Sequence, residues 1–386
     1  MIHRVQRGQV PDKPHTVFKP EGELAFEHCF TRQGFDGPFT VLYHRQPPHW
    51  VEAEKEIGPH PGLGRIGEFG PVRRRHFRTP EMSTGGAPFL GRKRLLANAD
   101  MQVWMSFPDR DDESLIANAD ADELVFVERG KGRVESPLGT LPFGPHDYVF
   151  VPRGLFHRWR IDEPASLMVM EALSYLGVPK AFRNDAGQLK MDAPFTHRDF
   201  RAPDWPEGGP ETLGAPRTLV IKRGQQLSES VLAHDPFDVY GWDGACWPFA
   251  FPIRAFQPKI GLVHLPPTIH VTFTGGGMLI CSFVPRRVDF HDKAIPCPYP
   301  HSSPDCDEIL FYVEGNFTSR KGIKEGSISL HPTGLPHGPH PGKYEASIGT
   351  DRTNELAVMV DTFKPLQPTE HAVAIEDPGY NRSWVE

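Results

Sequence analysis

Residues 298–340 read PYPHSSPDCDEILFYVEGNFTSRKGIKEGSISLHPTGLPHGPH. His301 stands in a short polar loop, and Glu308 precedes the apolar run 309–313. A second strand-like run, a Pro-x-Gly turn and His337 follow. Two imidazoles and one carboxylate from a loop, a strand and a turn form the ligand set of a facial triad, which suits Fe(II) and leaves coordination positions open. This stretch therefore predicts a metal site of His301, Glu308 and His337 on a β-scaffold.

The spacing of these ligands is typical of one kind of barrel. His-x6-Glu in the first motif and Pro-x-Gly-x-x-His in the second are the pattern of a double-stranded β-barrel of the cupin kind. The donor set suits Fe(II), although Mn, Ni or Zn also bind such ligands. His340 is an alternative ligand or a donor in the pocket, and Cys306 is interpreted as a packing residue.

The motif pair occurs twice in the chain. Asp122-Glu123 is followed by an apolar run, and Pro152-x-Gly154-x-x-His157 follows later. In this first copy Ile116 stands seven residues before the glutamate, where the second copy has a histidine. Self-similarity of this length predicts two barrels that arose by duplication. We expect the first barrel to be structural, because it lacks the third ligand.

Composition supports a β-rich fold. The chain has 386 residues, with 41 prolines and 37 glycines, which favour turns and short strands. The 26 phenylalanines suit an aromatic β interior. We predict an all-β bicupin: residues 1–200 form a loop-rich extension and a degenerate barrel, 201–216 a linker, and 217–386 the catalytic barrel.

Charge and cysteine content exclude several classes of protein. The formal net charge of −7 gives no reason to expect nucleic acid or an anionic membrane as a partner. Arg73-Arg74-Arg75-His76 is interpreted as a solvated face or a subunit contact. Five cysteines without a CxxC spacing argue against disulfides or structural zinc. With neither a signal peptide nor a long apolar segment visible, we expect a soluble cytoplasmic protein.

A facial-triad iron enzyme also needs an acid/base near the open coordination positions, and histidine titrates in the right range. His264, His270 and His291 are candidates in the sequence before the triad. His264 is preferred, because it ends a strand-like run at 259–264 just before Pro266-Pro267. Tyr299 is either a hydrogen-bond donor to the substrate or an aromatic plug.

Several of these residues together resemble the homogentisate 1,2-dioxygenase family in a shorter, divergent form. The resemblance covers most of the chain but is specific mainly in the second half. The motifs are Pro236-Phe237-Asp238-Val239-x-Gly-Trp242-x-Gly244, Val263-His264-x-x-Pro267, Phe283-Val284-Pro285-Arg286-Arg287, Pro298-Tyr299-x-His301, Glu308 and Thr333-x-x-Pro336-His337-Gly338-Pro339.

The resemblance implies roles for single residues. The iron ligands of the family fall on His301, Glu308 and His337, its general base falls on His264, and its pocket tyrosine falls on Tyr299. It also implies Fe(II) as cofactor, homogentisate and O2 as substrates, maleylacetoacetate as product, and a trimer or hexamer. Homogentisate belongs to tyrosine and phenylalanine degradation.

The chain departs from the family pattern at two places. Ser302-Ser303 replaces Arg-Asn after the first ligand, with Glu308 one residue further on than in the family, and Phe317 replaces a pocket tyrosine. These changes leave another dihydroxylated aromatic acid, such as gentisate or a substituted hydroquinone, as an alternative substrate. A non-catalytic cupin that binds a small aromatic ligand is the alternative from another class of protein.

Overall fold

The computed structural model describes residues 2–67, 70–317, 319–320 and 322–385, and they form an almost entirely β structure. The strands up to residue 172 are β1 (Val5–Gly8), β2 (Phe26–Thr31), β3 (Phe39–His44), β4 (Val51–Pro59), β5 (Arg75–Phe77), β6 (Lys93–Ala97), β7 (Met101–Ser106), β8 (Leu115–Asn118), β9 (Asp122–Ser136), β10 (Gly139–Phe143), β11 (Asp147–Val151) and β12 (Arg158–Ala172).

The strands after residue 216 are β13 (Arg217–Arg223), β14 (Gln226–Leu232), β15 (Val239–Gly244), β16 (Phe249–Pro252), β17 (Val271–Gly275), β18 (Met278–Phe283), β19 (Arg286–Arg287), β20 (Asp307–Glu314), β21 (Ile328–His331), β22 (Arg352–Thr353), β23 (Leu356–Thr362) and β24 (Gln367–Pro368). The α-helices are the short α1 (Lys343–Ala346) and α2 (Glu370–Ala374). Short 3-10 helices lie at Thr79–Glu81, Lys180–Phe182, His197–Asp199, Ile253–Ala255, Pro267–His270 and Tyr380–Arg382. None of the described helices is long and apolar enough to cross a membrane.

Two large antiparallel sheets carry the two barrels. The first has the strand order β16-β11-β9-β12-β7-β6-β24, and the second has the order β17-β18-β23-β20-β21-β5. In each sheet the strand that begins with Asp-Glu, β9 or β20, lies in the interior of the sheet. Its apolar run is buried on both faces, as a central strand requires. The all-β bicupin fold predicted from the sequence is confirmed.

Main-chain geometry confirms that the two barrels are copies of one unit. The backbone N–H and C=O of Ile116 exchange hydrogen bonds with those of His157 at 2.7 and 3.0 Å. His301 and His337 make the same exchange at 2.8 and 2.9 Å. The predicted correspondence between Ile116 and His301 is therefore a correspondence in space.

The two sheets pack against each other through equivalent residues. Phe126 on β9 and Phe311 on β20 lie three residues after the glutamate of their copies, and their ring centroids are 6.1 Å apart. The Tyr148 hydroxyl on β11 hydrogen-bonds to Ser282 Oγ on β18 at 2.9 Å. One apolar cluster includes residues of both sheets, so they share a core.

Hydrogen-bonded strand pairs also cross the predicted domain boundaries. β16 extends the first sheet beside β11, and β13 pairs with β8 in a smaller sheet of order β4-β14-β13-β8. In a third sheet β15 lies between β1 and β3. β5 pairs with β21 of the second barrel, whereas β24 pairs with β6 of the first. The division of the chain into domains at residues 200 and 217 stays a prediction. Both sides of this division contribute strands to the same sheets.

One expectation from the sequence is wrong, and one of the two alternatives for the basic cluster is wrong in part. Residues 259–264 form no strand, because Ile260, Leu262 and Val263 are exposed and a 3-10 helix begins at Pro267. The basic cluster at 73–76 is not a solvated face throughout. Arg75 is buried and lies 3.0 Å from a Glu376 carboxylate oxygen, which ties β5 to the C-terminal segment.

Candidate active site

The sequence-predicted triad comes together in the second barrel. One ligand atom from each of His301, Glu308 and His337 lies within 4.8 Å of the others. Glu308 is the second residue of β20, while the two histidines stand in the loops before β20 and after β21. In the described part of the chain this is the one cluster of three such residues, so the first barrel offers no equivalent.

The main chain fixes both imidazoles. The reciprocal backbone hydrogen bonds between His301 and His337 bring the two loops together, and their ring centroids lie 4.3 Å apart. The Nδ1 of His301 lies 3.1 Å from the carbonyl oxygen of Tyr299. Since a carbonyl can only accept, Nδ1 carries the proton in this contact, and Nε2 is left with a lone pair for a metal.

Glu308 is buried and stays ionised. Burial by itself raises the pKa of this carboxyl group, but the hydrogen bond from His331 and the nearby imidazole of His337 outweigh it and hold the pKa well below the usual range. The His331 Nδ1 lies 2.7 Å from Oε1, and the His337 Nε2 lies 3.6 Å from Oε2. A charged carboxylate is therefore available between the two loop histidines.

His331 is a site residue that the sequence reasoning missed. It is fully buried at the end of β21, opposite Glu308 in the strand ladder, and its ring stacks on His337 at 5.1 Å. Burial, followed by the charge of Arg320, lowers its pKa to about 4, so its imidazole is neutral. The signal available in the sequence was the position of His331 just before the Pro-x-Gly turn. The residue at this position pairs with the glutamate, and paired residues face the same side of the sheet.

His264 is oriented by a carboxylate. Its Nδ1 lies 3.2 Å from Asp289 Oδ2, and its Nε2 is buried with no hydrogen-bond partner. Asp289 therefore accepts the Nδ1 proton and leaves Nε2 as the basic nitrogen. The edge of the Tyr299 ring packs against this imidazole, with centroids 5.0 Å apart.

A cavity of about 110 Å³ adjoins the triad and this histidine. A cavity of ~150 Å³ holds benzene, so this volume is on the scale of one small ring. His264, His301 and Glu308 contribute polar surface, while Phe283 and Met359 are among the apolar lining residues. An apolar slot with a few convergent polar groups is typical of a small-molecule site.

Three further charged residues of the cavity lining were given no role from the sequence. Arg286, Arg320 and Glu355 line the cavity together with His301 and Glu308 of the triad. Arg286 was visible only as part of a family motif, and the other two lie in segments without a recognisable pattern. We call these three residues the arginine wall.

The other sequence candidates lie at different distances from the cavity. His270 is buried and lines it, and burial lowers its pKa well below the usual value, so it is neutral. His291 is exposed and Tyr299 is nearly half exposed, and neither is among the lining residues. His340 stacks on Trp384 at 3.9 Å, with Nε2 2.7 Å from Ser383 Oγ, and is also absent from the lining. Substrate binding by Tyr299 and His340 stays a prediction.

The residues at the triad fit a divalent transition metal. The His337 Nε2 is buried without a hydrogen-bond partner, which is costly unless a ligand uses its lone pair. Two imidazoles and one carboxylate suit Fe(II) as well as other first-row metals. Burial, followed by the charge of Asp361, raises the pKa of Cys306 to about 11, so this thiol stays protonated near neutral pH.

Fold and site define a class of protein: an all-β double barrel whose described residues hold one His-Glu-His site beside a cavity the size of a small ring. The model of the homogentisate 1,2-dioxygenase N-terminal region matches residues 91–253. A protein of Saccharolobus solfataricus described as "putative dioxygenase" is 36% identical over 100% of this chain and 99% of its own length. Homogentisate 1,2-dioxygenase of Pseudomonas fluorescens is 27% identical over 91% of this chain and 84% of its own.

The chain belongs to the homogentisate 1,2-dioxygenase family, and it is an enzyme of the dioxygenase type. Among solved structures, a cupin 2 conserved barrel domain protein of Leptotrichia buccalis is 11% identical, with a TM-score of 0.32 over 71% of this chain and 88% of its own. Oxalate decarboxylase of Bacillus subtilis is 11% identical, with a TM-score of 0.35 over 77% of this chain and 79% of its own. These two likenesses are too weak to bear on the function.

Proposed function

We propose that this protein is an Fe(II)-dependent dioxygenase that opens the ring of a hydroquinone-type aromatic acid, with homogentisate as substrate and maleylacetoacetate as product. The observation that carries the proposal is the cavity that His301 and Glu308 of the triad line together with His264. His301, Glu308 and His337 would hold the iron. When bound, Fe(II) would supply the Lewis-acid and redox chemistry that joins dioxygen to the ring.

His264 would act as the general base. Loss of a phenolic proton makes a hydroquinone ring more electron-rich, and the unpartnered Nε2 of His264 can accept that proton. Asp289 holds the imidazole in the required tautomer and stabilises the imidazolium that forms. The apolar lining around Phe283 and Met359 keeps water from the ring.

A related dihydroxylated acid such as gentisate is the second candidate substrate. Phe317 replaces a pocket tyrosine of the family and packs on the Tyr312 ring, with centroids 4.8 Å apart. The hydroxyl group that this position supplies in the family is absent here. An aromatic acid and O2 are then the small-molecule partners in either case, and an oligomer stays a prediction from the family.

The test is oxygen consumption by the protein loaded with Fe(II) under anaerobic conditions. Homogentisate, gentisate and neutral hydroquinones are compared, and the ring-opened product is identified by mass. We expect stoichiometric turnover of homogentisate that disappears in Glu308→Ala. His264→Gln should retain the metal but lower kcat by about 10²–10⁴-fold. Iron binding without turnover of any hydroquinone would contradict the proposal.

A further inference from the structure

The carboxylates of the protein do not fully neutralise the two guanidiniums of the arginine wall. Arg286 and Arg320 contribute two positive charges to the cavity lining, and Glu355 contributes one negative charge besides that of Glu308, which the predicted metal would neutralise. The ion pairs that the described residues form around the cavity join His264 with Asp289, and Glu308 with His331 and His337. Neither guanidinium of the wall forms an ion pair with a carboxylate of the described residues.

Arg320 is a buried cation held in place by neutral groups. Its side chain is 7% exposed, and its Nη1 donates hydrogen bonds to the carbonyl oxygens of Gly338 at 2.9 Å and Ser319 at 3.3 Å. The Nε–H is buried with no acceptor. A buried charge without a carboxylate in direct contact is costly, so a ligand that brings a carboxylate would be stabilised here.

The position of Arg320 relates it to the triad. Gly338, whose carbonyl oxygen accepts the stronger of its hydrogen bonds, directly follows the predicted ligand His337. The guanidinium also interacts electrostatically with Glu308. A ring that lay beside Glu308 could therefore reach the same cavity lining with a carboxylate on a short side chain.

Arg286 is less buried and lies towards the surface. It lines the cavity and also two neighbouring hollows that Arg287 shares, and its Nη1 donates to the Val284 carbonyl at 3.2 Å. Glu355 interacts electrostatically with both Arg286 and Arg320. Asp289 also acts on Arg286 and Glu308 on Arg320, but Asp289 is paired with His264 and Glu308 belongs to the predicted metal site. Glu355 is then the one carboxylate left for two guanidiniums, so the wall can take one further negative charge.

We propose that Arg320 binds the carboxylate of the substrate, and that Arg286 contributes to the same anion subsite from the outer side of the cavity. The inference rests on the proposed function, because it names the class of ring that the site accepts. A guanidinium and a carboxylate form charge-assisted, often bidentate hydrogen bonds that a neutral group cannot replace. The enzyme should therefore select aromatic acids over neutral hydroquinones of the same size.

Binding of a matched pair of ligands tests this assignment without turnover. 4-Hydroxyphenylacetate and 4-hydroxyphenylacetamide differ in charge but little in size, and calorimetry measures both with the Zn(II)-loaded protein. We expect wild type to bind the acid about tenfold or more tightly than the amide. Arg320→Met should reduce this ratio to about one and leave the amide affinity within about twofold.

The matched control is Arg287→Met, because this neighbouring arginine is exposed and lines only the outer hollows. It should preserve the preference for the acid. Arg320→Lys keeps the charge but loses the bidentate geometry, so an intermediate ratio is expected, and it serves as the variant if Arg320→Met does not fold. If Arg320 only holds Gly338, its variants should weaken acid and amide equally, and the proposal would be overturned.

The same variants separate this inference from the proposed function. Turnover of 2,5-dihydroxyphenylacetate and its amide is compared in wild type and Arg320→Met. If Arg320→Met loses the binding preference for the acid while wild type shows no turnover, the anion subsite is upheld and the dioxygenase proposal is contradicted. Equal turnover of acid and amide in wild type would uphold the dioxygenase and overturn the anion subsite.

Discussion

The two barrels place a glutamate at equivalent positions, but they surround it with different kinds of side chain. Glu308 in the second barrel lies among His301, His331 and His337, beside a cavity. Glu123 in the first barrel accepts a hydrogen bond from Arg92 Nη1 at 2.7 Å. A buried carboxylate needs a positive partner, and in the first barrel the chain itself supplies it.

The first barrel also places a second buried carboxylate beside Glu123. Glu171 lies opposite Glu123 in the β9–β12 ladder, at the position that Asp361 occupies in the second barrel. The Arg92 Nη2 donates to Glu171 at 2.6 Å, and the Lys222 Nζ donates to both of its oxygens at 2.8 and 2.7 Å. Two protein cations therefore fill the region where the other barrel gathers its predicted metal ligands.

Removing a histidine at the equivalent position of each barrel should give the largest contrast. We expect His337→Ala to lose stoichiometric metal and to lower oxygen consumption by more than about 100-fold, because even a group behind a ligand can cost 10–100-fold. His157→Ala, its counterpart in the first barrel, should keep both. Metal analysis and oxygen uptake measure the pair, and retention of metal by His337→Ala would disprove the assignment.

Removing the internal cation should destabilise the fold without affecting the metal. Arg92→Met leaves Glu123 and Glu171 buried with one cation fewer, so we expect the free energy of unfolding to fall by about 3–5 kcal/mol. Urea unfolding measures the change, and Arg110→Met, at an exposed arginine, should stay within about 0.5 kcal/mol. An effect of Arg92→Met below 1 kcal/mol would show that the network can rearrange.

The group behind the glutamate is the next difference. His331 donates to Glu308, whereas its counterpart opposite Glu123 is Val151, which has no donor to offer. His331→Phe keeps a ring but removes the hydrogen bond, so metal affinity should fall about 10–100-fold. Competition with a chelator measures it, with the exposed His291→Phe as the control that should leave the affinity unchanged.

Tyr299 should give the smallest effect. It stands two residues before His301, where the first barrel has Ser114 two residues before Ile116. If its hydroxyl group donates to the substrate, Tyr299→Phe should lower kcat/KM by about 2–10-fold, the value of one hydrogen bond. An unchanged kcat/KM would assign the ring to packing against His264 alone.

The sequence predicted the features that repeat along the chain. The glutamate, the Pro-x-Gly turn and the histidine after it recur at strand ends, so the duplication and the triad were readable from spacing. Arg92, Glu171 and Lys222 were not, because they come from β6, β12 and β13, and only tertiary structure brings them to one glutamate. The run at 259–264 was misread because apolar composition alone does not distinguish a strand from an exposed loop before two prolines.

Parts of the site escaped prediction for a similar reason. The role of His331 depends on the strand register, which places it opposite Glu308 rather than on the outer face. Arg320 and Glu355 lie in segments that have no periodic pattern, and their approach to one cavity depends on the folds of two separate loops. Chemistry that is carried by strand ends was visible, whereas chemistry that is assembled across loops was not.

The exchange of edge strands has a consequence for the biosynthesis of this protein. A ribosome releases β5 long before β21, its partner in the second barrel, and it releases β6 about 270 residues before β24. The second sheet cannot reach its final set of strands until β23 emerges, and the first sheet cannot do so until β24 emerges. The first barrel must therefore wait with an open edge, and a chain that stops before residue 356 would leave two incomplete sheets.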